Sequence, residues 1–161
     1  MPIIKYQWSL KLILFFSIFA LISAYFIQYI LGHQPCNLCL IERVPYISAV
    51  IIVLLCFILK KFEKISLIFL SLIFFLATMV SFYHFGIEQG FIKESLVCDL
   101  AAGEKILNPE ELLKKLKEKT ISCKDVTFKI FGLSLATINI VISLILSIIT
   151  MKHFINYEKN R

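Results

Sequence analysis

Charge is what this sequence has least of. Only 17% of its 161 residues are Asp, Glu, Lys or Arg, and three of its four long apolar runs carry no ionisable side chain at depth. A transporter needs such groups near the middle of a bilayer, so their absence counts against that class. A clear small-x-small cleavage site after the first run is also missing, and that run is too long for a typical signal core. It is therefore expected to be a retained helix rather than a signal peptide. Repeats and low-complexity tracts are absent apart from the Ile/Leu/Phe bias of the runs themselves. The sequence has one Cys-x-x-Cys, at Cys36 and Cys39, and Leu40 follows it where haem attachment requires a His.

What is present is apolar surface, 59% of all residues. Four runs, at 12–31, 38–59, 65–83 and 130–151, approach the ~20 residues that a helix rising ~1.5 Å per residue needs to cross ~30 Å of hydrocarbon. With no water to satisfy backbone groups, such runs form helices. The expected fold is an all-α membrane protein, a bundle of four transmembrane helices forming one integral domain over 1–161. The second run is interrupted by Glu42 and Arg43.

The formal charge of +6 is unevenly placed. Residues 1–11, 60–64 and 152–161, which fall on one side, hold eight Lys or Arg against two acids, whereas 84–129 on the other side balances eight lysines with eight acids. The positive-inside rule puts both termini in the cytoplasm, with outer segments at 32–37 and 84–129. The excess charge is thus a topology signal and does not argue for nucleic acid.

That orientation owes nothing to cysteine, yet four of the five cysteines land outside, in two pairs: Cys36 with Cys39, and Cys98 with Cys123. Disulfides persist in that compartment and not in the cytoplasm. Cys56, among Leu54, Leu55, Phe57 and Ile58, reads as an inert small hydrophobe. If the second helix starts near Cys36, then Cys36, Cys39 and Arg43 are spaced i, i+3, i+7 and share a face. Arg43 is then placed to lower the Cys39 pKa. The blander alternative has Arg43 snorkelling to the surface and pairing with Glu42. A Cys-x-x-Cys also occurs in zinc sites, but the 24 residues between Cys98 and Cys123 do not suit a four-cysteine site, and no resident metal is expected. Two separated dithiols in an oxidising space point to a relay in which one pair reoxidises the other.

In the second outer segment, Asn108, Pro109 and Glu111 predict a capped helix start. Leu112, Leu113 and Leu116 oppose Lys114, Lys115, Lys117 and Lys119, the pattern of a short amphipathic helix lying on lipid or packed on the bundle. His84, Glu88 and Gln89, where the third run exits, read as interfacial polar groups on their own.

Taken together, "PCNLCLIER" after the first span, "YHFGIEQG" after the third, the later cysteine pair and "FGLSLATIN" opening the fourth resemble the DsbB family along essentially the whole chain. In the vitamin K epoxide reductase-like family the loop cysteines precede the Cys-x-x-Cys, whereas here they follow it. The resemblance implies a bacterial inner-membrane oxidoreductase that reoxidises a periplasmic DsbA-like thiol oxidase and passes the electrons to ubiquinone or menaquinone. It implies disulfides Cys36–Cys39 and Cys98–Cys123. The partner attacks at Cys98, Cys123 attacks Cys36, and Cys39 is freed as a thiolate beside the quinone with Arg43 stabilising its charge. By spacing, His84 and Gln89 fall where the family contacts quinone. A paralogue dedicated to one partner, or a four-helix transporter or scaffold with a structural disulfide, are the alternative readings.

Overall fold

A computed structural model describes residues 2–59, 63–93, 98, 122–124, 128–130 and 132–159; the amphipathic helix expected at 108–119 lies outside the described residues. The elements run α1 (Pro2–Tyr29), α2 (Asn37–Ile41), α3 (Val44–Leu59), α4 (Glu63–Glu88), β1 (Lys129–Ile130), β2 (Leu133–Ser134) and α5 (Leu135–Lys159). Four segments are long and apolar enough to cross a membrane: Trp8–Tyr29, Asn37–Leu59 (α2 with α3), Lys64–Glu88 and Leu135–Asn156. The chain is a multi-pass, mostly helical membrane protein, as expected.

Three boundaries differ from the hydropathy reading, each for a local reason. The third span continues past Tyr83 to Glu88, because Gly90 supplies the stop. Its φ of 77° places it in the left-handed region, and the N–H groups of Gly90 and Phe91 fold back onto the carbonyls of Ile87 and Gly86 at 3.0 and 2.9 Å. His84 and Glu88 therefore stand on a helix and not in the outer segment. The fourth span starts at Leu135 instead of residue 130. Lys129–Ile130 and Leu133–Ser134 pair antiparallel, with Lys129 facing Ser134, and the Ser134 hydroxyl caps α5 by accepting the Thr137 N–H at 3.2 Å. The second span is broken at Glu42–Arg43. Pro45 has no N–H for the Ile41 carbonyl and its ring crowds that carbonyl, so the chain passes through a turn before α3 begins.

Four-residue and three-residue steps put Tyr46, Ala49, Val53 and Cys56 on one buried stripe of α3. They meet Leu10 and Ile13 of α1, Leu67, Leu70 and Phe74 of α4 and Leu146 of α5. Helices α4 and α5 pack along most of their length, and α1 packs on α3 but only lightly on α5. Small residues allow the close α4–α5 approach: the hydroxyls of Ser71 and Ser147 each donate to the other's carbonyl, at 3.5 and 3.2 Å. The outward faces, among them Phe15, Phe19, Ile58 and Phe82, are exposed and apolar as lipid requires.

Cys56 sits in this core, 5% exposed and far in sequence from the other cysteines. Cys56→Ala is expected to leave oxidase turnover within twofold of wild type and to lower stability by about 1 kcal/mol. Turnover and thermal denaturation of the purified variant check both, and a large loss of turnover would give Cys56 a part in the chemistry.

Candidate functional site

The site is built where the α2–α3 break meets the last turns of α4. Cys36 occupies the N-cap of α2 in extended backbone, and its sulfur accepts the Cys39 N–H at 3.2 Å. The Cys-x-x-Cys spacing thus does structural work, because the capping geometry links a residue to the N–H three positions on. Cys36 is buried and Cys39 half-buried, and both are thiols in this structure, whereas Cys98 and Cys123 are joined in a disulfide. The Cys36–Cys39 bond implied by the family resemblance is not formed here.

The two pairs lie together. Cys36, Leu38, Ile87, Cys98 and Cys123 form one buried cluster, with Cys39 and Tyr83 packed against it. Leu38 and Ile87 are what hold α2 against α4 at this point.

Below the dithiol runs a chain of buried polar groups. The His84 Nε2 lies 3.5 Å from the Cys36 sulfur, and its Nδ1 lies 2.9 Å from Glu42 Oε1. Asn139 on α5 donates from Nδ2 to Glu42 Oε2 at 3.1 Å and to the Ser81 hydroxyl at 2.7 Å. Tyr46 donates to the Asn139 carbonyl oxygen and sits 3.1 Å from the Ser143 hydroxyl. Every member has a partner, which is what makes such a network tolerable in a low-dielectric interior. The Cys36 thiol is pushed down to about 5, first by its hydrogen bond with Cys39 and then by the His84 hydrogen bond and charge, with burial opposing.

Arg43 and Glu42 do not pair with each other. The turn that breaks the second span sends Glu42 inward to His84 and Asn139, and sends Arg43 to α1. There the guanidinium donates to Gln28 Oε1 at 2.6 Å and lies 5.0 Å from the centre of the Tyr25 ring. Cys36, Cys39 and Arg43 nonetheless line one cavity together. The group beside a sulfur is His84 at Cys36, while Arg43 and Cys39 meet as walls of one cavity.

That cavity, about 330 Å³, has Cys36, Cys39, Glu42, Arg43, His84 and Glu88 at one end. Its flanks are Phe16, Phe19, Leu21 and Ile27 of α1 and Ile138 and Ile142 of α5. Phe16 and Phe19 are also exposed. Gln89 is exposed and does not line the cavity. Positions 84 and 88 share a helix face and position 89 is turned about 100° from 88, so the acid and not the amide follows His84 into the site.

Glu42, Asn139, Tyr46, Gln28 and Tyr25 were not singled out from sequence as site groups. A carboxylate inside an apolar run and a lone amide in the fourth span were the only signals available, and both point to function or to pairing. The family model for the disulfide bond formation protein DsbB matches residues 6–152. An uncharacterized protein of Rickettsia prowazekii (strain Madrid E) is 30% identical over 136 residues, covering 82% of this chain and 78% of the relative.

Proposed function

The chain belongs to the DsbB family, hence to the disulfide-forming membrane oxidoreductases, and from that premise we propose that it reoxidises a periplasmic DsbA-like dithiol oxidase and delivers the electrons to a membrane quinone. The observation that carries this reading is the gathering of both cysteine pairs at one buried cluster, with Cys39 packed against it, beside a largely apolar cavity.

In the proposed sequence a thiolate of the reduced partner attacks the Cys98 sulfur, forming a mixed disulfide and releasing Cys123 as a thiolate. Cys123 then attacks Cys36 of an oxidised Cys36–Cys39 pair, and Cys39 leaves with the electron pair. The partner's second thiol displaces Cys98, which in turn displaces Cys36 from Cys123. The partner leaves oxidised, the Cys98–Cys123 bond is restored, and Cys36 and Cys39 hold two electrons. His84, fixed by Glu42, is placed to hold a proton at Nε2 beside the Cys36 sulfur.

The cavity fits a quinone on its own terms: its volume suits a small amphiphile, its flanks are apolar, and its polar groups gather at the end that holds the thiols. Cys39, Arg43 and His84 would hold the head group there. Such a group, ubiquinone or menaquinone, supplies an acceptor for two electrons and two protons. With the basic segments cytoplasmic, the dithiols face the periplasm and the protein resides in the bacterial inner membrane.

The test is quinone reduction by the purified protein in lipid vesicles, driven by a reduced DsbA-like oxidase. One quinone should be reduced per partner dithiol oxidised, with no consumption when the partner is supplied oxidised. A scaffold with a structural disulfide would consume none. Exchanging the partner for other periplasmic oxidases separates a general enzyme from a dedicated paralogue.

A further inference from the structure

We infer that the reduced Cys36–Cys39 pair, together with His84, is a binding site for a thiophilic divalent cation such as Zn²⁺ or Cd²⁺, so that the dithiol and not the disulfide form is a metal trap. Its effect on turnover rests on the function proposed above, but the binding itself requires only the dithiol.

The donor set is already gathered. Cys36 Sγ, Cys39 Sγ and a His84 ring nitrogen all lie within 4.8 Å of one another. Two ligands of one tetrahedral zinc, at about 2.3 Å for sulfur and about 2.0 Å for nitrogen, stand roughly 3.5 Å apart. The Cys36 Sγ to His84 Nε2 separation is 3.5 Å. Behind the ring, Nδ1 meets the Glu42 carboxylate at 2.9 Å, and Asn139 anchors that carboxylate at 3.1 Å. A carboxylate on the far nitrogen is the usual support of a metal-bound histidine, since it fixes the tautomer and aims the lone pair of Nε2. A carboxylate stands beside this set of three. Glu88 Oε1 lies 3.8 Å from Nε2 on a side chain only 6% exposed, and its Oε2 has no hydrogen-bond partner among the described residues.

Charge and redox state follow from this set. Binding displaces two protons, one from the Cys39 thiol and one held between the Cys36 sulfur and His84 Nε2, and the two thiolates neutralise the cation. Oxidation to the Cys36–Cys39 disulfide removes both thiolates and with them the site. Conversely, a bound ion ties up both sulfurs and blocks electron release. The zinc reading set aside from sequence concerned all four outer cysteines; here Cys98 and Cys123 take no part.

The test uses the full chain carrying Cys98→Ser and Cys123→Ser, so that the only outer thiols are Cys36 and Cys39. It is reduced, freed of reductant under argon and titrated with Cd²⁺ alone, the readout being the ultraviolet thiolate-to-metal charge-transfer band. One Cd²⁺ per chain is expected, with Zn²⁺ competing for it, and X-ray absorption of the zinc form should show two sulfur and two lighter ligands. Treatment with diamide before titration should abolish the band. His84→Ala should weaken binding tenfold to a hundredfold, and Glu88→Gln less. Equal binding before and after oxidation, or an affinity unmoved by His84→Ala in folded protein, would overturn the site. In the wild-type enzyme, Zn²⁺ should slow quinone reduction reversibly, with EDTA restoring it. Binding without any quinone activity would retain the site and remove the function proposed above.

Discussion

Serine at either Cys36 or Cys39 should reduce partner-driven quinone reduction to background, a loss of more than about a thousandfold, because a hydroxyl cannot form or exchange a disulfide. The two variants should fail differently. With Cys39→Ser, Cys36 remains in the buried cluster beside the Cys98–Cys123 disulfide, so its thiolate can attack Cys123 and release Cys98 as a thiol, and a Cys36–Cys123 bond should accumulate by this exchange with no net oxidation. With Cys36→Ser, the sulfur that His84 faces is gone and no such bond should form. Peptide mapping of each variant after trapping with an alkylating agent reads this directly. Accumulation of Cys39–Cys123 in the Cys36→Ser protein would move the exchange between pairs to the other sulfur. Retention of turnover in either variant would end the relay.

Arg43→Ala should lower catalytic efficiency toward quinone tenfold to a hundredfold, equivalent to losing one charge-assisted contact of about 1.5–3 kcal/mol. The guanidinium lines the cavity while held by Gln28 and the Tyr25 ring, so its position is fixed before any ligand arrives. Arg43→Lys should recover only part of the loss, since lysine keeps the charge but not the planar fork that meets the amide and stacks on the ring. Gln28→Ala should show a smaller defect of the same kind, through a less well-held arginine. The measurement is quinone reduction across a range of quinone concentrations at saturating reduced partner. Unchanged kinetics in Arg43→Ala, with only a lower membrane yield, would make Arg43 an anchor between α1 and the broken second span and nothing more.

Hydropathy placed the four spans because bilayer thickness converts directly into residue count, and that is a one-dimensional property. The boundaries shifted where a local device overrode apolarity. Gly90 extended α4 beyond Tyr83, and the strand pair with the Ser134 cap delayed α5 to Leu135. These are capping effects of one or two side chains, which an average over about twenty residues cannot register. That Pro45 removes a helical hydrogen bond and bends the second helix is legible in sequence, whereas the directions in which the bend sends its neighbours are not. The break it imposes turns two consecutive charges apart, Glu42 to the interior and Arg43 to α1.

Sequence by itself determined what is local or additive: span number, the charge asymmetry, the Cys-x-x-Cys and the grouping of four cysteines in the two segments that follow the first and third spans. Tertiary structure alone decided which groups meet. His84 is 42 residues from Glu42, and Asn139 is 97 residues from it, yet the three share one buried network. Only the packing of α4 against α5, and of both against the break before α3, closes those separations. The same packing admits Glu88 and excludes its neighbour Gln89, because a helix turns about 100° per residue and only one of two adjacent side chains can face a given wall.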